Sequence, residues 1–266
     1  MKNPIERTWV RKISGKLYYR ITKEIYWKLS RKHFSSLDPS FEAGHEIFSH
    51  KTILLRKLKD VDMYLQHNKV INLKLAVQNI DGLVIRPGER FSYWRAIGRP
   101  SRRQGYVEGM VLKDGKVIVG VGGGLCQLSN MLYWLSMHTP LTVIERWRHS
   151  YDVFPDASRT QPFGSGATCA FPYIDFQLEN KTNQTFKLNV WLDDTYLHGK
   201  FTSNVPTINT YQVYEKTHQF SPLPWGGYMR SNTLYRKVKD KKTLLEVEDE
   251  FVVKNEAMTM YDPLIG

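Results

Sequence analysis

Apolar residues at Val10, Ile13, Leu17, Ile21, Ile25 and Leu29 recur in steps of three and four, which predicts a helix with one hydrophobic stripe. After the turn-rich stretch "SSLDPSFEAG", the segment Thr52 to Leu65, "TILLRKLKDVDMYL", reads as a second helix. Pro87 and Gly88 then separate a pair of apolar runs in "LVIRPGERFSYW", a strand-turn-strand signal. In "MVLKDGKVIVGVG" the pair Asp114-Gly115 suits the positive φ angles of a tight hairpin turn. A helix is predicted over Cys126 to His138, where Leu128, Met131, Leu132 and Leu135 keep helical spacing and Pro140 follows. "LTVIERW", "IDFQLEN", "TFKLNVWL" and "YLHGKFT" read as strands, and "NTLYRKVKDKKTLLEVEDEFVVKNE" as a further hairpin.

No internal repeat is visible. The pattern predicts an α+β fold: a mostly antiparallel β core, a helix beginning at the glycine-rich cysteine motif, and an N-terminal basic amphipathic helix. The expected division is a helical segment over 1–40, a core domain over 41–205 and a β-rich extension over 206–266.

Composition sharpens this in one place. The 266 residues are 41% hydrophobic and 13% aromatic, enough for a packed core. The net charge is +12, and residues 1–35 hold ten cations against Glu6 and Glu24, a net +8. A basic helix with aromatic residues beside its stripe suits an anionic membrane surface; packing of the stripe on the main domain is the plainer reading. No base-reading motif accompanies the charge, so no nucleic-acid partner is expected. The N-terminus lacks the apolar run of a secretory signal, and no run of 18 apolar residues occurs. The expectation is a cytoplasmic protein, peripheral at most to the inner face of the membrane.

The stretch "GVGGGLCQLSN", Gly120 to Asn130, carries the candidate chemistry. A phosphate-binding P-loop needs Lys and then Ser or Thr after its last glycine, and Leu125-Cys126 stands there instead. A dinucleotide site would use Glu145 for the ribose, but its third glycine falls on Leu125, and the flanking strands read as antiparallel. The remaining reading makes Cys126 a nucleophile at the first turn of a helix, where unpaired amides and the peptide dipoles favour a thiolate. Gly122, Gly123 and Gly124 would bring backbone N–H groups toward an oxyanion or a substrate. His149 is the candidate base, with Ser150 or Asp175 to orient its ring. Gln127, Ser129, Arg148 and Thr168 are further candidate substrate contacts. A buried, inert Cys126 and a structural His149 are the bland alternatives.

His45 and His50 lack metal-pair spacing, so neither a metal nor another cofactor is expected. Asn180 and Asn183 match glycosylation acceptors but read as turn residues without an export signal. Cys126 and Cys169 are too few for a disulfide framework, and spacing leaves their pairing open.

The runs "GGGLCQLSNMLYW", "VIERWRHSYDVFP" and "QPFGSGATCAFPYIDFQLENKTNQTF" resemble the VanW family, over a region from about "LKLAVQNIDGLVIRPGERFSYW" to Trp191. The resemblance implies a link to peptidoglycan metabolism and glycopeptide (vancomycin) resistance. Some members look like cysteine L,D-transpeptidases, which implies Cys126 as nucleophile, His149 as general base and Gly123 and Gly124 in the oxyanion loop. A peptidoglycan peptide or precursor would be the partner, with non-catalytic binding of precursor termini, or a membrane-associated accessory scaffold, as the alternatives. Many exported relatives carry Arg-Asp where this chain has Ser165-Gly166, which puts any role of that pair aside here.

Overall fold

The computed structural model describes residues 8–30, 33–56, 62–113, 115–154 and 160–262, without the side chains of Lys12 and Lys16. The chain runs α1 (Trp9–Leu29), β1 (Ser36–Leu37), β2 (His45–Ile53), α2 (Met63–Val77), β3 (Leu83–Ile85), β4 (Arg90–Ser92) and α3 (Tyr93–Ile97). It continues with β5 (Glu108–Lys113), β6 (Lys116–Val121), α4 (Cys126–Met137), β7 (Thr142–Glu145), β8 (Tyr151–Asp152) and β9 (Gln177–Glu179). It ends with β10 (Phe186–Leu192), β11 (Tyr196–Ser203), β12 (Asn209–Pro222), β13 (Tyr228–Asp240) and β14 (Glu246–Thr259). The α+β expectation holds, and nearly all strand pairs are antiparallel; β14 with β8 is the parallel one among the named strands.

A five-stranded sheet in the order β1-β3-β10-β11-β2 backs the core. Alternation along β10 sends Phe186, Leu188 and Val190 inward, and β11 adds Leu197 and Phe201. These residues share one buried cluster with Leu73 and Ala76 of α2 and Leu128, Leu132 and Leu135 of α4. Gly199 of β11 lets α4 come close, since a Cβ there would stand 2.8 Å from both Leu135 and Met131 side-chain atoms. A smaller sheet, β4-β9-β7, adds Phe91 and Leu178 to the same core. The β5–β6 hairpin pairs on itself with Gly115 at φ +74°; Asp114 lies outside the described residues.

Residues 52–65 are not one helix. β2 extends to Ile53, where it pairs with Tyr196, and helix begins only at Met63. The apolar run "TILL" therefore ends a strand, its β-branched residues serving a sheet that local periodicity does not reveal.

Strands β12, β13 and β14 form a long antiparallel arm. It returns to the body through Arg230, 1% exposed, whose guanidinium pairs with Asp152 at 2.9 Å, bonds His218 through Nε at 3.0 Å and lies over Phe163. Arg236 of the arm donates to the Thr139 and Met137 carbonyls, supplying positive charge at the C-terminal end of α4.

Helix α1 rests on the body by the face that carries Tyr19, Lys23, Tyr26 and Trp27. Lys23 pairs with Glu145 at 3.0 Å and Asp175 at 3.5 Å. Arg90 donates to the Tyr26 hydroxyl, Trp27 packs against the core, and Tyr19 meets Tyr173. The stripe read from the sequence, Val10 to Leu29, faces solvent instead.

The Arg230–Asp152 pair sets a first prediction. Asp152→Ala removes a carboxylate that touches a buried guanidinium and should lower unfolding stability by about 2–3 kcal/mol in urea titration. Replacing both residues by apolar side chains of similar volume should cost far less.

Candidate functional site around Cys126

The site begins with a contact between two glycines. Gly109 of β5 and Gly123 meet backbone to backbone: a Cβ on Gly123 would stand 2.1 Å from the Gly109 carbonyl carbon, and one on Gly109 2.5 Å from the Gly123 oxygen. Gly122 and Gly124 adopt φ angles of +75° and +89°, which a side chain would strain. Asn72 of α2 fastens the turn, its Nδ2 donating to the Gly123 and Val107 carbonyls and its Oδ1 accepting from the Val107 amide.

The glycine amides are already engaged. Gly122 donates to Val107, Gly123 to Gly120 and Gly124 to Met110, at 2.8–3.1 Å. The N–H groups of Gly123 and Gly124, expected to face an oxyanion, hold the turn together here. Among the described residues, the Leu125 and Cys126 amides at the start of α4 donate to no backbone carbonyl, and the Cys126 amide lies against its own sulfur.

Cys126 is half-buried and unpaired, as is Cys169. The helix start does not by itself depress the Cys126 thiol: burial pushes it above its ordinary 9.0, while the amides of Cys169 and of Cys126 itself act in the opposite direction. Removal from water outweighs the peptide dipoles. Cys169 is raised further, by burial first and then by the neighbouring Cys126 and Asp175 charges. No disulfide joins the two thiols.

His149 is half-buried, and burial together with the Arg148 charge lowers it below 6.5, which keeps the ring neutral at physiological pH. Among the described residues, no hydrogen bond joins His149 to Cys126 or to Asp175, so the structure does not assemble the predicted triad. Ser150 is exposed, and its carbonyl accepts from Met258 of β14. Asp175 is fully buried and serves a different group: Ser92 Oγ at 2.6 Å, the amides of Trp94 and Phe176, and Gln177 Nε2 at 3.2 Å. Burial raises its carboxyl despite these donors and Lys23.

The remaining candidates mostly hold the frame. Gln127 Nε2 donates to Thr52 Oγ1 and the Ile53 carbonyl at 2.9 Å, tying α4 to β2, while its buried Oε1 has no hydrogen-bond partner. Ser129 is buried and donates to Ala167 at 2.6 Å. Thr168 donates its amide to Trp147. Arg148 lies 4.1 Å over the Phe163 ring. Gly166 receives Arg146 on its carbonyl, and a Cβ there would stand 2.3 Å from Asn130 Oδ1.

Sequence reading passed over Lys23, Ser92, Gln177 and Lys69. The period-two spacing of Asp175 and Gln177 was a usable signal that they share a face. Lys23, Tyr26, Arg90, Ile144, Glu145 and Gln177 line an open cavity of about 410 Å³ that Cys126 does not border. Lys69 packs its chain against Gly124, donates to Gln66 at 2.8 Å, and is lowered to about 8 by burial and then by Arg56. Among the described residues, no cluster of three metal-ligating side chains occurs.

Comparison with known proteins bears on the same residues. Residues 68–202 match the family described as VanW like protein. The chain is 35% identical over 188 residues to the vancomycin B-type resistance protein VanW of Enterococcus faecalis, covering 71% of this chain and 66% of that protein. It is 32% identical over 113 residues to the uncharacterized protein YoaR of Bacillus subtilis, covering 42% of this chain and 36% of that protein. The matches thus span just under two thirds of the first relative and about a third of the second. No solved structure matches at a significant level.

Two measurements follow from these environments. Iodoacetamide labelling followed by mass spectrometry should be slower at neutral pH than for an exposed cysteine, quicken as pH rises past 9, and reach Cys126 before Cys169. For Lys69, the folded state binds its proton more weakly than the unfolded chain, so the folded protein is penalised below about 8 and relieved toward 10.5. Lys69→Met should therefore stabilise by about 3 kcal/mol at pH 7 in urea titration, with the gain vanishing as pH approaches 10.5.

Proposed function

The chain belongs to the VanW-like family, and from that premise we propose that it serves cell-wall metabolism and glycopeptide resistance by cysteine-dependent acyl transfer on a peptidoglycan-type peptide. One observation carries the reading: Cys126 opens α4 behind a hydrogen-bonded turn, with the Leu125 and Cys126 amides bound to no backbone carbonyl and the Cys169 and Cys126 amides favouring its thiolate. In this reaction Cys126 Sγ attacks a peptide carbonyl and its proton passes to neutral His149, which approaches on substrate binding. The carbonyl oxygen gathers charge against the Leu125 and Cys126 amides. The C–N bond breaks, the leaving amine takes the proton from His149, and a thioester remains. An acceptor amine then attacks the thioester, loses its proton to His149, and releases Cys126 as the thiol. The unpartnered Gln127 Oε1 supports the reading, since a substrate N–H that displaces the side chains covering it would satisfy this oxygen.

A second reading is non-catalytic binding of a precursor terminus. It is favoured by the raised Cys126 thiol and by the lack of a hydrogen bond to His149.

Intact-mass measurement after incubation with muropeptides separates the two. Acyl transfer predicts an adduct on the wild type that Cys126→Ala lacks and that His149→Ala forms on the order of a hundredfold more slowly. No adduct, with muropeptide binding unchanged in Cys126→Ala, would replace catalysis by the binding reading.

A further inference from the structure

Helix α1 has two faces with different fates. Lys23 and Trp27 are held by the body, as described above. Ile21 and Ile25, two residues to either side of Lys23, lie roughly 200° of helical rotation from it. Around them the stripe is open to solvent: Val10 is 66% exposed, Leu17 55%, Ile21 47%, Ile25 48% and Leu29 77%. Trp9 and Tyr18 are exposed too, at 74% and 63%. An apolar strip along a 21-residue helix, about 31 Å long, is more than isolated surface residues require.

We propose that α1 docks the protein on an anionic lipid surface, lying in its plane with the stripe down. The charge selects this occupant. Arg11 and Lys28 are exposed near the two ends of the helix, Glu24 is tied to Arg20, and residues 1–35 carry +8. Such cations attract acidic headgroups while the apolar side chains and Trp9 enter the acyl boundary. A second copy fits worse, because antiparallel pairing of two stripes brings Arg11 of one chain beside Lys28 of the other. A nucleic acid would set phosphates against the apolar strip. Among the described residues, no helix is long and apolar enough to cross a membrane, which agrees with α1 lying flat. The opposite face needs no rearrangement, since the body already occupies it. The proposal stands apart from the thiol chemistry.

The test is co-sedimentation of the full chain with vesicles of phosphatidylglycerol and phosphatidylcholine, beside phosphatidylcholine alone, with sedimentation velocity on the free protein. Wild type should pellet with the anionic vesicles and be released by salt. Leu17→Gln with Ile21→Gln, both at exposed positions, should weaken binding on the order of tenfold or more while leaving thermal unfolding unchanged. Arg11→Gln with Lys28→Gln should weaken binding to the anionic vesicles on the order of tenfold or more and make it less sensitive to salt. Failure of the wild type to pellet, equal binding to neutral vesicles, or undiminished binding of the Leu17→Gln, Ile21→Gln variant would overturn the proposal. A dimer of the wild type that this variant loses, without lipid binding, would assign the face to a second copy instead.

Discussion

The backbone contact between Gly109 and Gly123 is the constraint on which the site depends. With no side chain on either residue, the β5–β6 hairpin lies against the turn that opens α4, and Asn72 fastens that arrangement from α2. Three elements distant in sequence thereby agree on where Cys126 stands. The turn is held because its amides are spent on neighbouring carbonyls, while the next two amides, at the helix start, reach no backbone carbonyl. Arg236 completes α4 at the other end, so one helix presents donors at Cys126 and receives a cation where its carbonyls emerge.

Two opposing effects meet at the sulfur. Its enclosure favours the neutral thiol, and nearby amides favour the anion; enclosure wins in the ligand-free protein. The same balance recurs at Asp175, which collects four donors and a lysine yet remains raised, and at Lys69, where burial, ahead of the Arg56 charge, moves the ammonium well down. Burial thus outweighs the neighbouring groups at Cys126, Asp175 and Lys69 alike.

Much of the fold was legible in the sequence because its elements carry local signals. The helix at Cys126, the strands at Phe186 and Tyr196, and the C-terminal hairpin follow from spacing and turn residues. Thr52 to Leu65 was not legible, because β2 owes its conformation to pairing with β11, more than a hundred residues away. At the site, Cys126 stood out through its glycines, yet the purpose of those glycines did not: a close approach between two backbones leaves no mark within either segment alone. The partners of Asp175 were hidden for a similar reason, since Ser92, Trp94 and Lys23 reach it from three separate elements. The hydrophobic stripe of α1 was read correctly as a stripe, but periodicity gives no direction, and the body takes the opposite side.

The three-stranded arm leaves β14 as a margin that β8 covers only at Met258 and Thr259. Unpaired peptide groups along such a border invite addition of a foreign strand and growth of fibrous assemblies. Here the uncovered length carries Glu246, Glu248, Asp249 and Glu250, and Glu246, Asp249 and Glu250 are paired with Lys237, Lys216 and Arg236 of the same arm, so charged side chains of both signs stand beside it. Charge along an open edge is one of the means by which a sheet resists taking on another strand, since each such side chain would have to give up its water or its partner to the newcomer.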